Sequence, residues 1–189
     1  MTGTTHQMVA LMAALFLLSF YPVSLGPVLG LMAVVVAMIG ALTPDLDQPT
    51  ANVWRRLIGG NTVGNVFKAF SGGHRHFTHS ILGIIAIGWG INWVISHIIN
   101  PDIASQATAL WAAFMIGYVS HPVLDTFTDR GVPWFWPLKV HIKIPPGPEE
   151  FRVTTNSFVE RIIVRSGVVI ITVLILQKNW EVLKNFFRS

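Results

Sequence analysis

The chain opens on an apolar stretch and then alternates long apolar runs with two polar loops. Residues 1–44 contain no Asp, Glu, Lys or Arg. At about 1.5 Å per residue, that length is too great for one straight crossing of a ~30 Å hydrocarbon core. Pro22, Gly26 and Pro27 interrupt the stretch. The pattern therefore predicts two helices, at 8–20 and 27–42, and the first is short for a complete crossing.

Three further apolar runs follow the first polar loop, at 80–99, 104–123 and 159–176. The last is weaker, because charged residues occupy its first two turns. Only 12% of all residues are charged and 52% are hydrophobic, whereas soluble domains carry about 25% charged residues. We therefore predict an all-α, polytopic membrane helical bundle. It has four or five membrane segments and forms a single domain over residues 1–189.

The positive charge lies in the polar loops. Four Lys or Arg residues fall in 43–79 and six in 125–165, while the short turns at 21–26 and 100–103 have none. Cytoplasmic loops are typically enriched in Lys and Arg, so we expect both loops on the cytoplasmic side of a bacterial or archaeal inner membrane. The same rule accounts for the net charge of +4 without a nucleic-acid partner. Whether 159–176 spans the membrane decides the side of the tail.

His and Asp residues collect at the helix ends that face those loops. One His precedes the first predicted helix, two Asp follow the second, two His precede the third, and a His and an Asp close the fourth. Because successive helices alternate in direction, all these ends fall at one membrane face. The candidate metal ligands are His6, Asp45, Asp47, His74, His79, His121 and Asp125.

Imidazole and carboxylate groups are the usual protein ligands of zinc where thiolate is absent, and this chain has no cysteine. His121 and Asp125 are four residues apart and share a helix face, although Pro122 favours a helix start or a kink between them. Seven candidates exceed the four ligands of a tetrahedral site, which favours one or two ions, zinc first and manganese or iron as alternatives. Each residue alone is more typical of a structural hydrogen bond or turn.

A bound ion lowers the pKa of its water towards ~7 and supplies hydroxide. Arg75 has the planar donor fork that suits a phosphate group. Thr78 is expected to cap the third helix, whose first amides also favour an anion. Arg75, Thr78 and Ser80 are therefore the predicted substrate-binding residues.

The motifs around these residues resemble the membrane-bound metal-dependent hydrolases, a family known in enterobacteria as LexA-regulated inner-membrane proteins. The resemblance runs from Thr5 to Glu160. Its blocks are His6, Pro44–Pro49, His74–Ser80, Gly117–Asp125, Gly131–Pro137 and Glu160. It implies metal-dependent hydrolysis, and we expect Arg75, Asp47 and Glu160 to take catalytic roles, Glu160 as a further ligand or general base. The arrangement is also loosely similar to that of helical zinc phospholipase C enzymes, in which His and Asp from several helices hold a metal cluster.

The expected function is metal-dependent cleavage of a phosphoester in a lipid or membrane-delivered substrate at the cytoplasmic face. Two alternatives stay open. One is a metal-dependent amide or ester lipid hydrolase, which does not need Arg75. The other is a non-enzymatic metal-binding membrane protein or transporter, although transporters place ionisable residues near the bilayer midplane.

Overall fold

A computed structural model describes residues 1–20, 26–48, 62, 65 and 76–186. Its α-helices are α1 (Gly3–Phe20), α2 (Gly26–Gly40), α3 (Ile81–Ile98), α4 (Ala104–Asp125), α5 (Arg165–Lys178) and α6 (Trp180–Phe186). Short 3₁₀ turns at Pro44–Asp47, Phe77–His79, Pro101–Ile103 and Glu149–Phe151 connect them, and a π-helical turn at Val159–Val164 leads into α5. The described residues form no strand, only isolated bridges Thr128–Val153 and Val132–Ile142. The all-α prediction is confirmed.

Each predicted apolar run carries a helix, and three segments are long and apolar enough to cross a membrane. These are Gly26–Asp47, Ile81–Ile98 and Pro101–Asp125, while the apolar helix Gly3–Ser19 is shorter. The described residues thus contain three candidate spans, and a fourth or fifth crossing stays a prediction.

Two local expectations need correction. α1 begins at Gly3, so His6 lies on the helix and not before it, because Glu160 accepts a hydrogen bond from the Thr2 amide at the helix start. α4 does not begin at Pro122 but continues through it to Asp125. Pro122 falls in the last turn, where its carbonyl accepts bonds from the amide and hydroxyl of Thr126.

The bundle packs through small residues. A Cβ at Gly117 on α4 would overlap the Ala37 carbonyl of α2, and one at Gly40 would overlap the Phe114 carbonyl. Ala33 and Ala113 are buried between the same helices. Large apolar side chains such as Trp89 on α3 face outward. Small residues inside and large apolar residues outside are typical of helices packed in lipid.

Candidate metal centre

Four helix ends meet at one end of the bundle. The start of α1, the 3₁₀ turn after α2, the turn before α3 and the last turn of α4 all contribute polar side chains to this place. They are His6, Asp45, Asp47, His79, His121 and Asp125, all buried except for Asp45, whose side chain is 27% exposed. Asp45 therefore lies on the side from which solvent can approach.

These side chains form two groups that share His121. His6, His121 and Asp125 form the first group, and Asp45, His79 and His121 form the second. In each group, one ligand atom per residue lies within 4.8 Å of the others. His79 Nε2 is 3.2 Å from His121 Nε2, and Asp45 Oδ1 is 3.5 Å from His121 Nε2. Such convergence of nitrogen and carboxylate oxygen atoms is the donor set of a zinc-like ion.

His6 provides the clearest sign that the site suits a cation. Its ring stacks on His121 with centroids 3.6 Å apart and planes 8° apart. Its Nε2 is 3.3 Å from Asp125 Oδ1, yet neither ring nitrogen makes a well-formed hydrogen bond within the described part of the chain. The Met1 amino group also contacts this carboxylate. Buried polar atoms nearly always make hydrogen bonds, so a buried imidazole that makes none and lies beside a carboxylate fits a metal ligand.

Backbone and hydroxyl groups fix the orientation of the other two imidazoles. His121 Nδ1 lies 2.6 Å from the Ala41 carbonyl, which can only accept, so Nδ1 carries the proton and Nε2 of the neutral ring presents its lone pair. His79 Nδ1 lies 3.0 Å from Thr78 Oγ1, and Thr78 gives its own proton to Asp47 Oδ2 at 2.7 Å. The Nε2 atoms of both rings therefore face the centre, as in metal sites with ordered outer shells.

The two aspartates of the Pro44–Asp47 turn take different places. Asp45 faces the Nε2 atoms of both His79 and His121. Asp47 lies behind His79, with Oδ2 3.7 Å from its Nδ1, and belongs to neither described group. Both residues are candidate ligands by sequence; the geometry gives Asp45 the position of a ligand and Asp47 that of an outer carboxylate.

Glu160 also lies outside both groups and is used in another way. Its Oε1 accepts from the Thr2 amide, the Thr2 hydroxyl and the Thr5 hydroxyl, and its Oε2 accepts from the Asn156 amide. Burial raises the pKa of this carboxyl, which lies outside the three candidate spans, but these hydrogen bonds outweigh burial and hold the pKa at about 2. A general base at neutral pH needs a pKa nearer 7, so Glu160 is poorly suited to that role.

The predicted substrate-binding hydroxyls are already engaged. Ser80 accepts from the Gly83 amide and donates to the Phe77 carbonyl, so Ser80, and not Thr78, caps α3. Thr78 is buried and bonded to Asp47 and His79. His74 and Arg75 lie outside the described residues.

Sequence reasoning missed the groups that hold the ligands in place. Tyr118 donates to the Thr78 carbonyl at 2.7 Å, and Arg165 donates to the hydroxyls of Thr2 and Thr5. Tyr118 stands inside a block of the family pattern, which was a usable signal. The carbonyl of Ala41 carries no signal in the sequence, because every residue has one.

The fold and the site define a helical membrane protein with a buried His/Asp cluster at one end of its bundle. The chain belongs to the YdjM inner membrane protein family, whose model matches residues 1–182. It is 32% identical over 167 residues to the uncharacterized protein YvsG of Bacillus subtilis, covering 86% of this chain and 87% of that one.

A second relative has the same level of identity over a shorter stretch. The inner membrane protein YdjM of Escherichia coli is 32% identical over 120 residues, 58% of this chain and 51% of that relative. The alignment therefore spans about half of the Escherichia coli protein. No solved structure matches the chain. The relatives support an inner-membrane location, and their names give no reaction.

Proposed function

We propose that this protein is a metal-dependent hydrolase that cleaves a phosphoester in a lipid or membrane-delivered substrate. The observation that carries the proposal is the sharing of His121 between two His/Asp groups, whose members are all buried except Asp45. Ionisable residues beside membrane-embedded helices are costly and usually functional. A hydrogen-bonded network alone would leave little reason for His6 to bury both ring nitrogens without a well-formed hydrogen bond, with only the 3.3 Å contact of Nε2 to Asp125.

The candidate ligands in the described residues are His6, Asp45, His79, His121 and Asp125. His121 offers only Nε2, because Nδ1 is bonded to Ala41, and one ring nitrogen binds one ion. A second ion would rely on the remaining residues of the other group together with His74. When bound, a divalent ion such as zinc supplies hydroxide at neutral pH by acidifying its water.

The chain's own residues orient and shield this chemistry. The Thr78–Asp47 pair holds His79 in one tautomer, which raises the basicity of its other nitrogen. Asp45 marks the open side of the cluster. Arg75 is the proposed contact of the anionic group, since guanidinium pairs with phosphate through two parallel hydrogen bonds.

The alternatives differ in what they need. An amide or ester lipid hydrolase would use the same ligands without Arg75. A transporter would place the cluster near the middle of its spans, whereas His6 and His121 lie in terminal turns of their helices. The position at the helix ends therefore favours an enzyme that meets its substrate at the membrane surface.

The test measures metal content and hydrolysis in the detergent-purified protein. We expect bound zinc, manganese or iron in the wild type, together with chelator-sensitive release of headgroups from phospholipid. Both should be lost in His121→Ala. The matched control is His97→Ala, since His97 is an exposed histidine that contacts Trp93 on α3 and should keep both.

Three outcomes separate the possibilities. An Arg75→Ala variant that stops cleaving phospholipid but still cleaves a neutral lipid ester would favour a phosphoester hydrolase. Retained cleavage of both would favour the amide or ester hydrolase. A folded wild type that takes up no ion at all would show that the cluster is a polar network, and the proposed hydrolase would be abandoned.

A further inference from the structure

An apolar pocket lies between the ends of two candidate spans and the segment that follows α4. It has a volume of about 360 Å³, within the range of about 300–1,000 Å³ for ligand sites. Its walls are Ile81, Val123, Thr126, Phe127, Trp134, Phe135, Ile142 and Ile144. Thr126 is the one hydroxyl-bearing residue among them. That hydroxyl already donates to the Pro122 carbonyl and accepts from Trp134 Nε1, so the pocket favours an apolar ligand.

Hydrogen bonds build this pocket in advance of any ligand. The Ile81 amide donates to the Trp134 carbonyl at 3.0 Å, and the Ile144 amide donates to the Thr126 carbonyl at 2.9 Å. An antiparallel bridge between Val132 and Ile142 joins the two ends of the loop that carries Trp134 and Phe135. The walls are therefore tied to the first turn of α3 and to the C-terminus of α4, and the cavity is part of the folded structure.

The pocket is continuous with the surface that the spans present to lipid. Ile81 opens α3 and is 41% exposed, and Val123 lies near the end of α4 and is 43% exposed. Phe135 and Leu138 continue the apolar surface beside them, at 55% and 63% exposed. Trp134 lines the pocket, and Trp is enriched at membrane interfaces. An acyl chain from the bilayer is the apolar ligand that reaches this place directly.

Two lysines lie in the chain segment that carries two of the pocket walls, Ile142 and Ile144. The run 138–144 contains Lys139 and Lys143 and no acidic residue. Juxtamembrane lysines attract anionic lipid headgroups. Val123 is two positions from His121 on α4, about 200° around the helix, so the two side chains leave the helix on opposite sides.

We propose that this pocket, between the start of α3, the end of α4 and residues 134–144, binds one acyl chain of an anionic phospholipid whose headgroup meets Lys139 and Lys143. The bound lipid is a resident of the fold. Its binding does not depend on metal or on hydrolysis, so a result against the proposed reaction would leave this lipid site unaffected.

The experiment counts phospholipids retained by the full chain. Purified protein is delipidated in detergent, offered equal amounts of phosphatidylglycerol and phosphatidylcholine, washed, and measured by native mass spectrometry. The wild type should retain one phospholipid and prefer phosphatidylglycerol. Ile142→Trp and Val123→Trp fill the pocket from different walls and should lose it. Leu138→Trp adds the same ring at an exposed position outside the pocket and should keep it.

Further results decide the rest of the proposal. Lys139→Gln and Lys143→Gln should each lower the preference for phosphatidylglycerol roughly fivefold while a phospholipid is still bound. Thermal unfolding identifies which tryptophan variant is folded, and either one suffices. A wild type that retains no phospholipid, or a folded pocket-filled variant that retains it, would overturn the proposal. So would a protein dimer that Ile142→Trp abolishes, since a second copy would then fill the pocket.

Discussion

His79 Nε2 lies 3.2 Å from His121 Nε2, although 42 residues separate the two histidines along the chain. Each ring has its other nitrogen tied to an outer group, the Ala41 carbonyl for His121 and the Thr78 hydroxyl for His79. Two imidazoles that face each other in this way present both lone-pair positions to one point. Two nitrogen lone pairs that converge on one point are the arrangement that a shared metal ion requires.

His121 should matter more for metal content than any other residue of the cluster, because it belongs to both described groups. We expect His121→Ala to lower bound metal further than His6→Ala or Asp45→Ala, each of which removes a member of one group. Elemental analysis of the purified variants measures this. Equal losses in all three variants would contradict a shared central ligand.

The Thr78 hydroxyl should set metal affinity without being a ligand. Thr78→Val removes the link between His79 and Asp47, and loss of an outer-shell partner typically weakens metal binding by about 10- to 100-fold. Thr78→Ser keeps the hydroxyl and should bind nearly as the wild type does. Competition with a fluorescent chelator gives the affinities. Equal affinity for the valine and serine variants would mean that the hydroxyl does not act through His79.

Glu160 should act as a positioning residue that holds the start of α1, and through it His6. Glu160→Ala removes the acceptor of four hydrogen bonds from Thr2, Thr5 and Asn156. Amide hydrogen exchange in the first turn of α1 should rise and bound metal should fall. Glu181→Ala removes a glutamate whose side chain is 73% exposed beside Lys184 and should change neither. A variant that keeps normal exchange and metal but loses hydrolysis would restore Glu160 as the general base.

The contribution of Glu160 to stability should depend on pH. Its pKa falls from 4.5 to about 2 in the folded protein, so folding favours the ionised form. A carboxyl of this kind stabilises the fold fully above its unfolded pKa and loses that contribution as the pH falls through the folded value. The difference in Tm between the wild type and Glu160→Gln should therefore be constant above pH 4.5 and shrink towards pH 2. A difference that grows on acidification would have the wrong sign.

The contact between α2 and α4 should tolerate no side chain at Gly117. A Cβ there would overlap the Ala37 carbonyl, and overpacking typically costs about 1–3 kcal/mol. Gly117→Ala should lower the Tm in detergent. Gly90→Ala on α3 is the matched control, because no atom lies within 4 Å of the added Cβ, and it should leave the Tm unchanged or raise it slightly. Equal Tm values for both variants would argue against close packing of α2 on α4.

The candidate site could be predicted in outline because its residues stand at the ends of apolar runs. A run fixes where a helix lies, and the alternation of helix direction then places His6, Asp45, His79 and Asp125 at one end. The partners of each ring could not be predicted in the same way. The pairing of His121 with Ala41, or of Thr78 with Asp47, depends on the axial position and rotation of one helix relative to its neighbour. The linear pattern of apolar and polar residues does not specify either quantity.

The sequence by itself determined the apolar helices, the polar cluster at one end and the kind of ligand atoms available, because these follow from hydrophobicity, spacing and residue chemistry. Only the tertiary structure decided what each carboxylate does. Asp45 and Glu160 have the same functional group, yet Asp45 faces two imidazole nitrogens, while Glu160 accepts four hydrogen bonds at the start of α1. The reason is physical: a carboxylate binds whichever donors or cations the packing of neighbouring helices brings to it.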